Sequence, residues 1–304
     1  MITTADTTLV TEALTRPRYE GANIGTWIGF KHFMYLVEEG VLDWLRAHTP
    51  GARELYRRHG LGVEIVDSSV LLPAVLEVDD EVRVRVVPVQ PGRFTVTLHV
   101  TRDGREIPAL RGKVGIALVR QRDAPGDTPL TAAAGAALLP EPVAELADAS
   151  GAPEPAVADA DEPFRWSWRA PYFYCHFSDR VQHSGYVRAL EEVVDRFLAD
   201  RGVSVGLMLR ERGWIPVVSR ARVRLLAAAH MEEVVHTTFA VDDVVRRTVF
   251  DGRMDCYVER DGRRVLTAQA RILHGYAVSR GPDAGTLSTL DYAVIAALTG
   301  AGPR

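Results

Sequence analysis

The chain has 304 residues, 47% hydrophobic and 25% charged, which is enough for about two globular domains. Its net charge of -4 comes from 36 basic and 40 acidic residues mixed along the chain, which excludes the concentrated basic patch of a nucleic-acid-binding protein. No apolar run can span a bilayer, the N-terminus does not resemble a signal peptide, and Cys175 and Cys256 are too far apart for a paired metal motif. We therefore expect a cytoplasmic protein with no nucleic-acid or membrane partner, no metal and no cofactor.

The first predicted element is a long helix around Tyr35–Ala47. Its apolar residues recur at helical spacing, as expected for a helix buried in a core: Phe33, Leu36, Val37, Val41, Trp44 and Leu45. The segments after it alternate apolar and polar residues, which indicates half-buried antiparallel strands, and Asp103–Gly104 predicts a tight hairpin turn.

Residues 121–163 are mostly Ala, Pro, Gly, Asp and Glu, and none of them is aromatic. Such a stretch buries too little apolar surface to fold alone, so it predicts a linker with a short helix near Pro142–Ala149.

The residues after the linker repeat the first pattern. A second helix, Arg188–Ala199, aligns with the first at a shift of 153, so that Glu192 matches Glu39. Alternating strands and a second hairpin turn at Asp261–Gly262 follow in the same order. Thr286–Gly300 then predicts an apolar tail helix. The chain therefore contains two copies of one unit, each a long helix wrapped by a curved antiparallel sheet.

This arrangement resembles the hotdog fold, and two copies in one chain resemble a double hotdog, an α+β architecture. The resemblance covers roughly residues 17–120 and 164–279. It implies an N-terminal half at 1–120 with a degenerate site entrance, the linker at 121–163, a C-terminal half at 164–279 with an intact entrance, and a tail helix at 280–304. Two fused hotdogs already form the basic pair, so we expect a monomeric pseudo-dimer or a higher homo-oligomer.

The predicted chemistry lies where a loop enters the second helix, in the stretch that contains Asp179, His183, Ser184, Gly185 and Tyr186. Backbone N–H groups in the first turn of a helix have no partner within the helix, so those near Ser184–Tyr186 can receive a carbonyl oxygen that gains negative charge. The alternative is that Ser184 or Asp179 only caps the helix.

"HSGYVRALEE" is similar to the His-Gly-Gly segment of hotdog acyl-CoA thioesterases, in which an acidic residue follows the His by nine positions, here Glu192. Ser184 replaces the family's first glycine. Another branch of the superfamily has an Asp four residues before a His, as Asp179 and His183 are spaced. In His-Gly-Gly dimers the acidic residue crosses from the neighbouring subunit, which implies Glu39 as the partner of His183. Asn23, in the matching loop of the first half, is a further candidate for binding a substrate carbonyl.

The resemblance implies an acyl thioester hydrolase for acyl-CoA or acyl-carrier-protein substrates, assisted by a carboxylate and His183. Two alternatives stay open: a hotdog dehydratase or hydratase that uses Asp179 and His183, and a non-catalytic protein that binds an acyl or polyketide-like ligand. A fold hosts many reactions, so the site has to decide among them.

Overall fold

A computed structural model of the protein describes residues 9–150 and 163–300. The N-terminal half contains a short strand, a long helix, a short helix and four strands: β1 Thr11–Thr15, α1 Phe30–His48, α2 Gly51–His59, β2 Leu61–Leu71, β3 Val82–Gln90, β4 Arg93–Arg102 and β5 Arg105–Arg120. The C-terminal half has the same order: β6 Phe164–Arg169, α4 His183–Asp200, α5 Val205–Arg212, β7 Trp214–Leu225, β8 Val234–Val245, β9 Val249–Arg260 and β10 Arg263–Val278. Two further helices are α3 Leu146–Ser150 and α6 Tyr292–Thr299.

The ten strands form one antiparallel sheet in the order β1-β3-β4-β5-β2-β7-β10-β9-β8-β6. The second half of this order mirrors the first, so the two halves are related by a pseudo-twofold axis between β2 and β7. These two central strands pair from Asp67 opposite Arg224 to Leu71 opposite Arg220. The expected double hotdog is therefore present as a single continuous sheet.

The repeat extends to small details of the loops before the long helices. Isolated bridges join Ala22 to Ile28 in the first half and Cys175 to Val181 in the second, and both members of the second pair lie 153 positions after those of the first. The shift found in the sequence is thus also the shift that superposes local backbone pairing.

The core follows the predicted helix stripes. All twelve stripe residues are buried, six on each long helix: Phe33, Leu36, Val37, Val41, Trp44 and Leu45, with Tyr186, Leu190, Val193, Val194, Phe197 and Leu198. Trp44 packs against Phe94 of β4 with ring centroids 4.7 Å apart, and its Nε1 donates to the Leu9 carbonyl. At Gly40 a Cβ would lie 2.5 Å from Val84 Cγ1, so this glycine lets α1 approach β3 closely.

Both predicted hairpin turns are confirmed. Asp103–Gly104 joins β4 to β5 and Asp261–Gly262 joins β9 to β10, and all four residues have positive φ. This conformation matches the twist of a two-residue hairpin and explains the Asp-Gly sequence.

The described part of the predicted linker, residues 121–150, packs against the N-terminal half. Val143 N donates to the Leu118 carbonyl at 2.9 Å, and Leu139 and Leu146 are buried. This segment was expected to bury little because it cannot form a core alone, but it lies against the N-terminal half and completes that core. Residues 151–162 lie outside the described part of the chain.

The predicted tail helix is shorter than expected. Only Tyr292–Thr299 is helical, with the Asp291 side chain accepting from Val294 N at 2.9 Å at its start. Val294 and Leu298 are buried, so the helix docks on the body through one apolar face. Residues 301–304 are outside the described range. None of the helices in 9–150 and 163–300 is both long and apolar enough to cross a lipid bilayer.

Candidate active site

Two cavities lie at pseudo-equivalent positions, one at the N-terminal end of each long helix. The site pocket, about 640 Å³, lies at the start of α4. Its lining includes Glu38, Val41, Val63, His176 and His183. The opposite pocket, about 680 Å³, lies at the start of α1 and is lined by the counterparts of these residues at the 153 shift, namely Glu191, Val194, Pro216, Asn23 and Phe30. Each cavity is therefore built by both halves of the chain.

The first turn of α4 supplies a free hydrogen-bond donor. The helix begins at His183, and its N-cap residue Gln182 makes no side-chain capping hydrogen bond. Among the described residues no acceptor is bonded to the Ser184 N–H, and Ser184 is buried. An unpaired N–H at the positive end of a helix is suited to an oxygen that develops negative charge.

Glu38 brings a carboxylate from the other half of the chain to the site pocket. Burial raises the pKa of its carboxyl, and the nearby charges of His176 and Arg188 oppose this rise only in part. Glu38 makes no ion pair or hydrogen bond within residues 9–150 and 163–300. A desolvated, unpaired carboxylate with a raised pKa is suited to proton transfer.

Glu191 is the counterpart of Glu38 in the other half, and its contacts show which groups a carboxylate at this position can bind. Glu191 Oε1 accepts from Lys31 N at 2.9 Å, and Glu191 Oε2 lies 3.7 Å from Lys31 Nζ. Lys31 N is the counterpart of Ser184 N. At the opposite pocket a carboxylate therefore already occupies the helix N-terminus. At the start of α4, in contrast, neither the Glu38 carboxylate nor the Ser184 N–H has a partner within residues 9–150 and 163–300.

A buried ion cluster holds His176 beside the site pocket. Glu64 of β2 has only 2% of its side chain exposed, and its Oε2 lies 2.8 Å from His176 Nε2. Its other oxygen lies 3.3 Å from Arg180 Nη2. Glu64 thus fixes the orientation of the His176 ring across the interface between the halves, as carboxylates commonly do for functional histidines.

His183 is a neutral wall residue of the same pocket. Its Nε2 lies 2.8 Å from Ser68 Oγ of β2, and burial lowers the pKa of its imidazole to about 4. Neutral imidazole paired with a hydroxyl can orient a ligand without adding charge to the pocket.

A family model described as the thioesterase-like superfamily matches residues 158–282, which include the whole loop from His176 to His183. The C-terminal half is similar to this superfamily, and the whole chain has the double hotdog fold. The match lies in the C-terminal half, and the N-terminal half repeats the same fold.

Solved structures with the same fold cover nearly the whole double hotdog chain. A 12:0-ACP thioesterase from Umbellularia californica is 13% identical, with 88% of this chain and 94% of that chain covered and a TM-score of 0.61. An acyl-ACP thioesterase from Bacteroides thetaiotaomicron is 10% identical, with 89% and 100% covered and a TM-score of 0.55. At these identities the likeness establishes the fold alone. No curated protein matches the sequence.

The double hotdog geometry separates Asp179 from His183, although the sequence predicted that they act together. Asp179 has 59% of its side chain exposed and lies 3.1 Å from His230 Nδ1. Its partial burial would raise the pKa of its carboxyl, but the hydrogen bond and charge of His230 outweigh this effect and lower the pKa. The four-residue spacing therefore does not pair these two side chains, because Asp179 contacts His230 and His183 contacts Ser68.

The predicted glutamates also lie off the site. Glu39 is 57% exposed and pairs with Arg46 on α1, and Glu192 is 42% exposed and pairs with Arg196 on α4. The inward carboxylates are those of the preceding residues, Glu38 and Glu191, because one residue turns the side chain by about 100° around a helix. We predicted that a carboxylate of the N-terminal half lies beside His183 of the other half. In the structure the carboxylate that shares the site pocket with His183 is that of Glu38, one position before Glu39.

Three other predicted site residues, Gly185, Tyr186 and Asn23, do not line the site pocket. A Cβ at Gly185 would lie 3.0 Å from Val181 Cγ1 and 3.3 Å from Tyr174 Cβ, and its N–H donates to Gln182 O, so this glycine serves protein packing instead of substrate approach. The Tyr186 side chain is fully buried in the core. Asn23 lines the opposite pocket, not the site pocket.

His176 was missed because the sequence shows no partner at a diagnostic spacing, and its partner Glu64 comes from the other half, 112 residues away. The arginines of β7 do not line the site pocket, and one of them, Arg222, is held by Asp67. Arg53 and Arg57 of α2 line it instead, both exposed and without an ion pair among the described residues. The described residues contain no group of three or more potential metal ligands.

Proposed function

We propose that this protein hydrolyses acyl thioesters of coenzyme A or of an acyl carrier protein at the site pocket. The proposal rests on two groups without a partner among the described residues: the desolvated Glu38 carboxylate, which lines the site pocket, and the Ser184 N–H, next to the lining residue His183. The contact between their counterparts, Glu191 and Lys31 N, supports their proximity. Thioester hydrolysis requires a base for water and a donor for the oxyanion, and these two groups have those chemical properties.

In the proposed reaction the thioester carbonyl oxygen accepts a hydrogen bond from Ser184 N–H. Glu38 removes a proton from a water molecule as the water oxygen bonds to the carbonyl carbon, and the negative charge moves to the carbonyl oxygen. The C–S bond then breaks, the proton on Glu38 returns to the departing thiolate, and the products are a carboxylic acid and a free thiol.

His176 and His183 act beside these groups. His176 is held by Glu64 and places a polar ring on the pocket wall near Glu38, where it orients the carboxylate or the water. His183 stays neutral and contributes shape and a fixed dipole. Arg53 and Arg57 at the pocket lining supply positive charge suited to the phosphates of coenzyme A or the pantetheine arm.

The test is thiol release from a panel of acyl-CoA substrates, measured with a thiol reagent, for wild type and the adjacent pair Glu38→Gln and Glu39→Gln. Glu38→Gln should lower kcat by roughly 100-fold to 10,000-fold, the usual range for loss of a general base. Glu39→Gln should retain near wild-type kcat because its side chain is exposed and directed away from the pocket.

The same assay separates the alternatives. A change in enoyl absorbance without free thiol would identify a dehydratase or hydratase and overturn the hydrolase proposal. Bound acyl-CoA without any turnover would identify a non-catalytic binding protein. Loss of hydrolysis in Glu39→Gln with normal activity in Glu38→Gln would refute the assignment of the base.

A further inference from the structure

The opposite pocket lacks the groups proposed to react in its counterpart, although it forms a cavity of similar size, about 680 Å³. Phe30 replaces His183, Asn23 replaces His176, and the Glu191 carboxylate is bonded to Lys31 N. The walls are mostly apolar side chains from α4, β7 and β10. This pocket cannot repeat the proposed chemistry, because its carboxylate and its helix N-terminus satisfy each other.

The charge of the opposite pocket selects against anions. Its lining contains two carboxylates, Glu191 and Asp195, and neither lysine nor arginine. The site pocket, in contrast, is lined by Arg46, Arg53 and Arg57. The lysine beside this pocket, Lys31, is already paired with Glu191, so a phosphate or carboxylate ligand would face the two carboxylates without a free cation in the lining.

One buried polar side chain in the opposite pocket has no partner. His274 of β10 is 5% exposed, and neither of its ring nitrogens has a hydrogen-bond partner among the described residues. Burial lowers the pKa of its imidazole to about 4, so the ring is neutral at physiological pH. Nδ1 is inaccessible, which leaves Nε2 as the nitrogen that can bind a ligand. A buried imidazole is normally hydrogen-bonded, so a histidine on a cavity wall with neither nitrogen paired points to a missing partner at the nitrogen that a ligand can reach, Nε2.

We propose that the opposite pocket is a second, non-catalytic binding site for an uncharged, largely apolar molecule that carries one hydrogen-bonding oxygen, which pairs with His274. The size and apolar walls of the cavity provide the favourable burial, and the carboxylates exclude acids. This inference does not depend on the proposed hydrolysis, because it concerns the pocket in which the proposed groups are absent.

The probe for the test is Prodan, an uncharged naphthalene dye with one ketone oxygen whose emission shifts to the blue in apolar surroundings. Trp27 lines the opposite pocket, so bound dye should also quench tryptophan emission, and Trp27→Phe should reduce that quenching without abolishing the blue shift. A carboxylate built on the same naphthalene core should bind at least tenfold more weakly.

The pseudo-symmetry supplies a matched pair of filling variants. Val218 lines the opposite pocket and Ile65, its counterpart at the 153 shift, lines the site pocket. Val218→Trp should abolish the Prodan signal and leave thiol release unchanged, whereas Ile65→Trp should leave the Prodan signal unchanged. His274→Phe should weaken Prodan binding by about fivefold to tenfold, the ratio that corresponds to one hydrogen bond.

Loss of the Prodan signal in Ile65→Trp with normal binding in Val218→Trp would place the dye in the site pocket and overturn the proposal. Equal binding of Prodan and of the naphthalene carboxylate would refute the argument that the acidic side chains of the opposite pocket exclude anions. Circular dichroism and the thermal midpoint of each variant establish that it is folded, and if Val218→Trp does not fold, the Trp27 and His274 variants decide the question. Absence of thiol release in wild type would refute the proposed hydrolysis but not this inference, because dye binding is measured directly.

Discussion

Acidification should destabilise the fold through two buried histidines, and one substitution should remove half of that effect. Burial lowers the pKa values of His183 and His274 to about 4 from an ordinary value of 6.5. Both rings are therefore neutral in the folded protein at pH 5, whereas the unfolded chain binds a proton on each. Because the unfolded state binds more protons between these pKa values, the free energy of unfolding falls as the pH falls from about 6.5 to about 4.

The size of this effect follows from the two pKa values. Between pH 7 and pH 5 each ring contributes a loss of about 2 kcal/mol to the free energy of unfolding, so the pair contributes roughly 4 kcal/mol. His274→Phe removes one titrating ring. It breaks no hydrogen bond among the described residues, and the ring it replaces packs on Phe250 with centroids 4.9 Å apart. The variant should therefore lose about 2 kcal/mol less than wild type over the same pH interval.

The assay is urea denaturation at pH 7 and pH 5, followed by circular dichroism, for wild type and His274→Phe. The quantity compared is the change between the two pH values within each protein, so any effect of the substitution on stability at pH 7 cancels. An identical pH-dependent loss in both proteins would refute the reasoning, because it would mean that His274 is protonated to the same extent in the folded and unfolded states.

Three further predictions concern the site pocket. Arg57→Ala should raise KM for acyl-CoA by about threefold to tenfold with little change in kcat, and the rise in KM should be smaller at high salt. Arg58→Ala is the control, because Arg58 is already ion-paired. Equal KM values for Arg57→Ala and wild type in steady-state kinetics would contradict the assignment. Glu64→Gln should lower the free energy of unfolding by about 3 kcal/mol, since it leaves Arg180 buried without its anion, and a urea midpoint equal to wild type would argue against this. The kcat/KM of wild type should fall as the pH falls through the raised pKa of Glu38, and this dependence should be missing from the residual activity of Glu38→Gln.

Much of the fold could be predicted from the sequence because its signals are local. The stripe that contains Val41 and Trp44 has the period of a buried helix, and the Asp-Gly pairs fit the positive φ that both turns adopt. The repeat at a shift of 153 then implied that the two units pair, and the sheet order has the expected symmetry. The segment around Val143 was predicted less well, since its few apolar residues are buried against the sheet of the N-terminal half.

The choice between Glu38 and Glu39 shows why the site was harder to predict than the fold. Both glutamates follow Val37, and a motif counted along the sequence favours the second. Helical spacing favours the first, because Glu38 shares its face with Met34 and Leu42, one buried and the other at the site pocket. That signal was present in the sequence. The pair of His176 and Glu64, in contrast, is formed only when the two halves meet, so no local pattern indicates it.

The junction of β2 and β7 has a consequence for how such a protein can diverge. In a dimer of identical subunits every substitution appears twice, so a change that suits one cavity is imposed on its twin. Here the central strands of two unequal halves are joined in one sheet, and Asp67 and Arg222 pair across them only once. Two halves in one chain can have different linings at their two cavities, so a single polypeptide can carry one set of groups at one cavity and another set at the other.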